Sequence, residues 1–531
     1  MLSLYVKRIF VTGVPTTIIF LGVWFIRSLL LNPPGIPSPP ITSHEENDGF
    51  FTRHVRRFFM QHFYVLHKDE SMFRLLQWTR FFHHHPFLMR IFFRPHIIIS
   101  KSEDLEEVLL RQEANFCKHT GYILLRAVIG DGLLAMMDKE KHRVHRRILQ
   151  SVFSSSNIRG IANEVMRVHV LRQLNIFLKL LICAGDGIVT INISEHMHRM
   201  TLGIVSEAAF RASVEDSVVV LEAFSIMTKF NRLNYLCPYY RTPSQKEAEK
   251  ILIEISNALI QNNEEDDNSS KRRVVLDALI EELNIHFDRK DVVHHLVTFL
   301  FAGHDTTSNT LNFLFALLAR NEKVQNRLYD ELEMIMPATC SCPTIEELLS
   351  CEYLVAVVRE AMRLFPSAPL IYRDALQDVY LPSSDVVIPK GSVCVLNIFA
   401  VHRSITIYGD DADEFHPERW LQGEGQELRS RCGNCGYMPF SVGNRNCIGK
   451  EYGYYEVLIA TAVFIRHLRV ESVGAFPRTQ FSFTMSSPDP CRVRLIRRPD
   501  VSTDAMMKSV RILQEYETAI QFPTRCEAVM V

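Results

Sequence analysis

The residues with the clearest chemical purpose form one run, Phe440-Ser-Val-Gly443-Asn-Arg445-Asn-Cys447-Ile-Gly449. Two glycines bracket a single cysteine and let the backbone turn tightly around its thiol, and Arg445 stands two residues before it. The segment Lys450 to Leu468 reads as a long helix. Cys447 therefore lies at a helix amino terminus, where free N–H groups and the dipole favour a thiolate.

A second run sits inside an apolar stretch, Asp291 to Asn321, which reads as one buried helix of about 45 Å. At its middle stands Ala302-Gly303-His304-Asp305-Thr306-Thr307. Glycine in a helix costs about 1 kcal/mol relative to alanine, and buried polar groups cost more, so something besides packing selects these residues. Ala302 and Gly303 leave room for a ligand against the backbone, while Asp305 and Thr306 offer a carboxylate and a hydroxyl able to relay protons. His304 carries no assigned role.

Two further patterns support these. Glu360-Ala-Met-Arg363 places opposite charges three apart on one helical face, with Pro366 ending the helix. Gly130-Asp-Gly132 precedes His142-Arg-Val-His-Arg146-Arg147, whose guanidinium forks suit carboxylates.

These motifs, in this order from about residue 90 to about residue 498, resemble the cytochrome P-450 family of haem-thiolate monooxygenases. The resemblance implies the cytochrome P-450 fold, mainly α with small β-sheets, and haem b (iron protoporphyrin IX) as cofactor. Cys447 matches the axial iron ligand, with Phe440, Gly443, Arg445 and Gly449 in the same signature. Asp305 and Thr306 match the residues that help deliver protons during oxygen activation, beside Ala302 and Gly303. Glu360, Arg363 and the Arg419 of Phe415-His-Pro-Glu-Arg419-Trp420 match a buried structural network. His142, Arg146, Arg373 and Arg445 are implied contacts of the haem propionates, Arg146 foremost on its helix. Asp138 departs from the family, which commonly has glycine in the turn before that helix. The pattern Cys432-Gly-Asn-Cys435 has metal-site spacing but no second pair, so it reads as a loop insertion, and His83-His84-His85 reads as a surface loop.

The implied activity is insertion of one oxygen atom of O2 into a lipophilic small molecule such as a terpenoid, polyketide, alkaloid or fatty acid. No flavin or nicotinamide segment is evident, so the implied electron donor is a separate NADPH-cytochrome P-450 reductase, with cytochrome b5 as a further partner. The exposed docking face is expected around Arg143, Arg146 and Arg147. Pocket walls are expected from Phe116 to Val128, Asn231 to Tyr240, Phe301, Ala368 to Ile371 and Phe481 to Met485. Two alternatives stand beside this: the same fold isomerising or dehydrating peroxides, and a non-catalytic membrane haem-binding protein. Retention of Asp305 and Thr306 argues against the first.

The elements that must hold these residues are mostly helical. Apolar residues recur at helical spacing over Asp104 to Glu113, Ile161 to Leu181, Gln245 to Ile260 and Glu352 to Leu364. Strand patterns are few: His96 to Ser100, Ile371 to Leu381, Val386 to Pro389, Ser392 to Val395, Phe481 to Met485 and Val493 to Ile496. The chain has 531 residues, 59 Lys+Arg against 60 Asp+Glu and 47% hydrophobic residues, which excludes a disordered chain and a global field for nucleic acid. Twelve scattered cysteines suit a reducing compartment.

Length alone suggests three or four domains, but every motif converges on one haem, so residues 41–531 are expected to form a single body. Residues 1–31 are expected to be a membrane anchor, since Ile9 to Ile26 carry no charge, and residues 32–40 a stiff proline-rich hinge. The expected location is the endoplasmic reticulum membrane, single-pass, with the body in the cytosol.

Overall fold

A computed structural model describes residues 35–38, 70–91, 94–118, 122–185, 187–212, 218–229, 239–264, 273–336 and 343–498. The expected anchor 1–31, the ends of the hinge, the wall segment 231–238 and residues 265–272 and 499–531 lie outside the described residues. Among the described residues no helix is long and apolar enough to cross a membrane.

Helices dominate, as the spacing predicts, and six of them build the site. They are α1 (Tyr122–Ile129), α2 (Lys139–Gln150), α3 (Ile193–Phe210), α4 (Arg289–Leu318), α5 (Glu352–Leu364) and α6 (Lys450–His467). Helix α4 runs through the middle of the fold, buried on almost every face. It begins where Asp288 accepts the Asp291 amide at 2.6 Å, an N-cap that satisfies one free donor of its first turn. Helix α2 begins the same way on Asp138, which accepts the Lys141 amide at 2.9 Å. The aspartate that departs from the family pattern thus has a structural use.

Among the described residues, twelve short strands complete the fold. The largest sheet joins β1 (Phe87–Ile91), β2 (Arg94–Ile99), β3 (Phe116–Lys118), β5 (Leu370–Ala375) and β8 (Val393–Asn397) in the order β1-β2-β8-β5-β3. Its β2–β8 pair is parallel and the others antiparallel. A second sheet orders β4 (Ile188–Asn192), β12 (Arg492–Arg497) and β9 (Leu468–Ser472) as β4-β12-β9. Two hairpins remain, β6 (Val379–Leu381) with β7 (Val386–Ile388), and β10 (Gln480–Phe481) with β11 (Met485–Ser486). The described part of the hinge lies along β1: Leu88 donates to the Pro37 carbonyl at 2.7 Å and Ser38 Oγ donates to the Leu88 carbonyl at 2.9 Å.

Two expected strands break, each for a local reason. Ile371 to Leu381 splits at Leu376-Gln377-Asp378, where the Asp378 carboxylate turns back to accept the Lys390 amide at 2.7 Å. Phe481 to Met485 splits into β10 and β11 around a tight turn in which the Ser482 amide donates to the Thr484 carbonyl at 3.2 Å. Strands β1, β3, β4 and β9, absent from the sequence reading, are short pieces whose pairing is set by distant partners. The Cys432-Gly-Asn-Cys435 run turns out of the end of helix Glu424–Cys432, and both Cys432 and Cys435 are buried free thiols.

Candidate functional site

The cysteine loop is strained before it is chemical. Gly443 has φ of 78°, and a Cβ there would lie 2.6 Å from the Leu109 carbonyl oxygen, so only glycine fits. Ser441, with φ of 58°, holds a left-handed conformation without glycine's freedom. Gly449 needs no such freedom: its φ is −90°, and the nearest contact of an added Cβ would be 3.7 Å away, on Phe153. Of the two bracketing glycines, the backbone demands one. The loop closes through the Cys447 amide, which donates to the Phe440 carbonyl at 2.9 Å. Arg146 of α2 clamps it from outside, donating to the Asn446 carbonyl at 2.7 Å and also to the Asn446 side-chain oxygen.

The Cys447 thiol opens onto a cavity of about 780 Å³, a size suited to a large cofactor or ligand. Its exposure is to this interior, with protein packed around it elsewhere. Burial pushes the thiol above its ordinary value, and the Gly449 amide, Arg146 and Lys450 oppose that without overcoming it. The Gly449 amide at the helix terminus acts in the expected direction, but desolvation is the larger effect. A bound cation is what would hold sulfur ionised there.

Phe440, Arg445, Gly449, His142, Arg146, Arg373, Ala302, Gly303 and Thr306 line the same cavity. Segments up to 300 residues apart are brought together by α2, β5, α4 and the loop before α6. Gly443 and Asp305 do not line it; Gly443 serves the turn, and Asp305 stands behind the wall. Arg143 and Arg147 are exposed while Arg146 turns inward, so the expected basic face loses its middle member.

One wall carries concentrated positive charge. Arg146, Arg373, Arg445 and Lys118 all line the cavity, and none makes an ion pair with a carboxylate among the described residues. Arg373 donates to the Tyr372 carbonyl at 2.9 Å and Arg445 to the Met136 carbonyl at 3.0 Å. Burial, then the charge of Arg373, brings Arg445 down to about 10. Burial and the surrounding arginines push Lys118 well below its usual range. His142 is brought down to about 3, by burial first and then by Arg445, Lys118 and Arg146. Crowded cations facing a cavity call for an anion with several oxygens. Lys118 falls within the expected wall Phe116 to Val128 and lines the cavity, but its role as a cation was not read, because a lysine at a strand end has no motif.

The α4 wall is lined by hydroxyls. Thr306 Oγ1 donates to the Ala302 carbonyl at 2.8 Å, leaving its lone pairs free to accept. Thr310 and Ser367 hydroxyls meet at 2.7 Å, and Ser367 Oγ donates to the Thr306 carbonyl at 2.8 Å. Asp305 accepts from Thr484 Oγ1 at 2.6 Å, and Thr484 lines the cavity. Gly303 lines the cavity and serves helix packing as well: an added Cβ would lie 2.5 Å from Val205 Cγ2 of α3. His304 points away, donating Nδ1–H to the Leu300 carbonyl at 2.6 Å, and burial holds it at about 4.

Glu360, Arg363 and Arg419 meet in a separate buried network. Glu360 accepts from Arg363 at 2.7 and 2.8 Å, from Arg419 at 2.9 Å, from the His416 amide at 3.0 Å and from Trp420 Nε1 at 2.8 Å. Burial pushes its carboxyl up, but Arg363 and Arg419 outweigh that and hold it below the ordinary range.

A family model for cytochrome P-450 matches residues 54–491, most of the chain. This chain belongs to the cytochrome P-450 family. Its members are haem-thiolate monooxygenases that bind haem through an axial cysteine thiolate. Cytokinin hydroxylase of Arabidopsis thaliana is 28% identical over 394 residues, 70% of this chain and 72% of that protein. Cytochrome P-450 4ae1 of Drosophila melanogaster is 29% identical over 426 residues, 75% of this chain and 83% of that protein. The crystal structure of the cytochrome P-450DA haem domain superposes with a TM-score of 0.74 at 22% identity, covering 88% of this chain and 99% of that one. The fold is therefore that of the cytochromes P-450. The cavity fits haem on its own chemistry: one thiol opens into it, apolar walls enclose it, and a cluster of cations awaits a dianion.

Proposed function

We propose that the protein inserts one oxygen atom of O2 into a lipophilic small molecule, with Cys447 as the axial ligand of haem b. The observation that carries this is the Cys447 thiol opening into the same cavity as Thr306 and as Arg146, Arg373 and Arg445, none of which makes an ion pair among the described residues. Bound there, haem supplies the oxygen-activating redox chemistry. Arg146, Arg373, Arg445 and His142 would hold its carboxylates and fix its orientation, and Lys118 would join them. Phe299, Phe301, Phe481 and Phe483 exclude water and favour an apolar substrate. Thr306 and Asp305 would bring protons to the reacting oxygen. Glu360, Arg363 and Arg419 hold the segments behind the cysteine loop and stay outside the chemistry.

Electrons would come from NADPH-cytochrome P-450 reductase, with cytochrome b5 as an additional donor. Residues 1–31 would anchor the protein in the endoplasmic reticulum membrane, residues 32–40 would act as hinge, and residues 41–531 would form one cytosolic haem domain. The uncharged run Ile9 to Ile26 supports the anchor.

The test is reconstitution with reductase, NADPH and a panel of lipophilic compounds, after ranking the panel by binding difference spectra. Substrate-dependent consumption of NADPH and O2 is expected, as is the shifted carbon-monoxide band of a haem-thiolate centre. Cys447→Ala should abolish that band and the activity together. An unchanged band in that variant would overturn the ligand assignment, and turnover of a hydroperoxide without NADPH or O2 would sink the monooxygenase reading.

A further inference from the structure

Asp305 is the carboxylate at the centre of α4, yet it does not line the cavity. It is half-buried, and its Oδ2 is turned to a residue of the wall. What stands between the two is Thr484, 8% exposed, on the cavity wall, its Oγ1 2.6 Å from Asp305 Oδ2. Thr484 is held there from three sides. It occupies the tight turn between β10 and β11, where its carbonyl accepts the Ser482 amide at 3.2 Å. The next residue, Met485, donates to the Ser367 carbonyl at 2.9 Å, and the Ser367 hydroxyl in turn donates to the Thr306 carbonyl at 2.8 Å. The hairpin is thereby pinned to the same turn of α4 that carries Asp305 and Thr306.

We propose that Thr484 is a positioning and proton-bridging residue, through which Asp305 acts on the cavity. This rests on the reading that Asp305 supplies protons to the reaction. A threonine hydroxyl both donates and accepts and can rotate, so one short contact serves two states. With Asp305 ionised, Thr484 donates to it and holds the carboxylate out of the cavity. With Asp305 protonated, the carboxylic acid donates to Thr484 Oγ1. That oxygen passes its own proton to a water in the cavity and takes the one from Asp305. The carboxylate then regains a proton from solvent. One O–H bond forms for each that breaks, and nothing is oxidised or reduced.

The test uses the haem-loaded full chain with NADPH-cytochrome P-450 reductase and no added substrate. The rate of NADPH oxidation not recovered as hydrogen peroxide is compared in H2O and D2O, per haem retaining the thiolate band. The variants are Thr484→Val, Thr484→Ser, Asp305→Asn and the double Thr484→Val with Asp305→Asn. Thr484→Val should lower this rate by about tenfold or more and alter the solvent isotope effect. Asp305→Asn should do the same, the double variant should be no slower than Asp305→Asn, and Thr484→Ser should stay within about twofold of the parent. If Thr484→Val matches the parent while Asp305→Asn is slow, or if the two losses multiply, Thr484 is not the bridge and Asp305 acts by another route. If Asp305→Asn also matches the parent, the underlying reading of Asp305 fails. Should Thr484→Val load too little haem, Thr484→Cys, whose thiol is a weak donor, carries the same comparison.

Discussion

Arg363 and Arg373 lie ten residues apart, on α5 and on the strand that follows, and both are buried. Arg363 uses all five of its N–H donors: two on Glu360, and one each on the carbonyls of His402, Ala412 and Glu414. Arg373 has the Tyr372 carbonyl and a bond to Tyr122, faces Lys118 and Arg445, and has no carboxylate partner among the described residues. Burying a charge is costly unless it is paired, so the two arginines report two kinds of site. Arg363 is paired within the chain and belongs to the fold. Arg373 has no such partner among the described residues and faces the cavity.

That contrast breaks at its stronger end first. Glu360→Ala leaves two buried guanidinium groups without their shared carboxylate and should destabilise the protein by about 3–5 kcal/mol, read as a collapse of the thermal midpoint or failure to fold. Arg373→Gln should behave oppositely. The haem-free chain should melt at the same temperature or higher, since a repulsive charge is gone. Haem should leave faster, by roughly ten- to a hundredfold for one charge-assisted contact, measured by transfer to apomyoglobin. If Arg373→Gln unfolds the haem-free protein as Glu360→Ala does, the distinction between the two sites is wrong.

Acid separates them more gently. His402 is brought to about 3 by burial and Arg363, His142 to about 3, and His295 well below 6.5 by burial. Between those values and 6.5 the unfolded chain binds protons that the folded chain refuses, so stability falls as pH falls below about 6.5. Glu360, held below its ordinary 4.5, adds its loss as pH falls from about 4.5 through that lower value. Thermal melts of the haem-free protein should therefore decline in two stages, the histidine stage first. A flat profile from pH 7 to pH 5 would contradict this.

The two arginines also mark what was legible in the sequence. Glu360 and Arg363 announce themselves, because a three-residue spacing puts them on one face of α5. Cys447 is equally plain, and so is the buried character of α4. Arg373 was placed only through the family resemblance, and Lys118 and Thr484 only as members of expected wall segments with no role of their own, since a cation or hydroxyl at the end of a short strand has no pattern of its own. Their meaning arises from partners hundreds of positions away. Gly303 shows the converse: its presence on the wall was legible, but not its second reason, that the Val205 side chain of α3 occupies the place of a Cβ.

The hinge lying along β1 bears on how this protein can be handled. With Leu88 bonded both ways to Pro37 and Ser38, and Ile36 buried 3% exposed among core residues, those few positions cover the open edge of the five-stranded sheet. An uncovered edge strand presents unpaired amides and carbonyls that recruit other chains. Trimming the protein after residue 40, the natural cut for removing a greasy leader, would uncover that edge and trade one source of insolubility for another. A cut upstream of Gly35 keeps the cover in place.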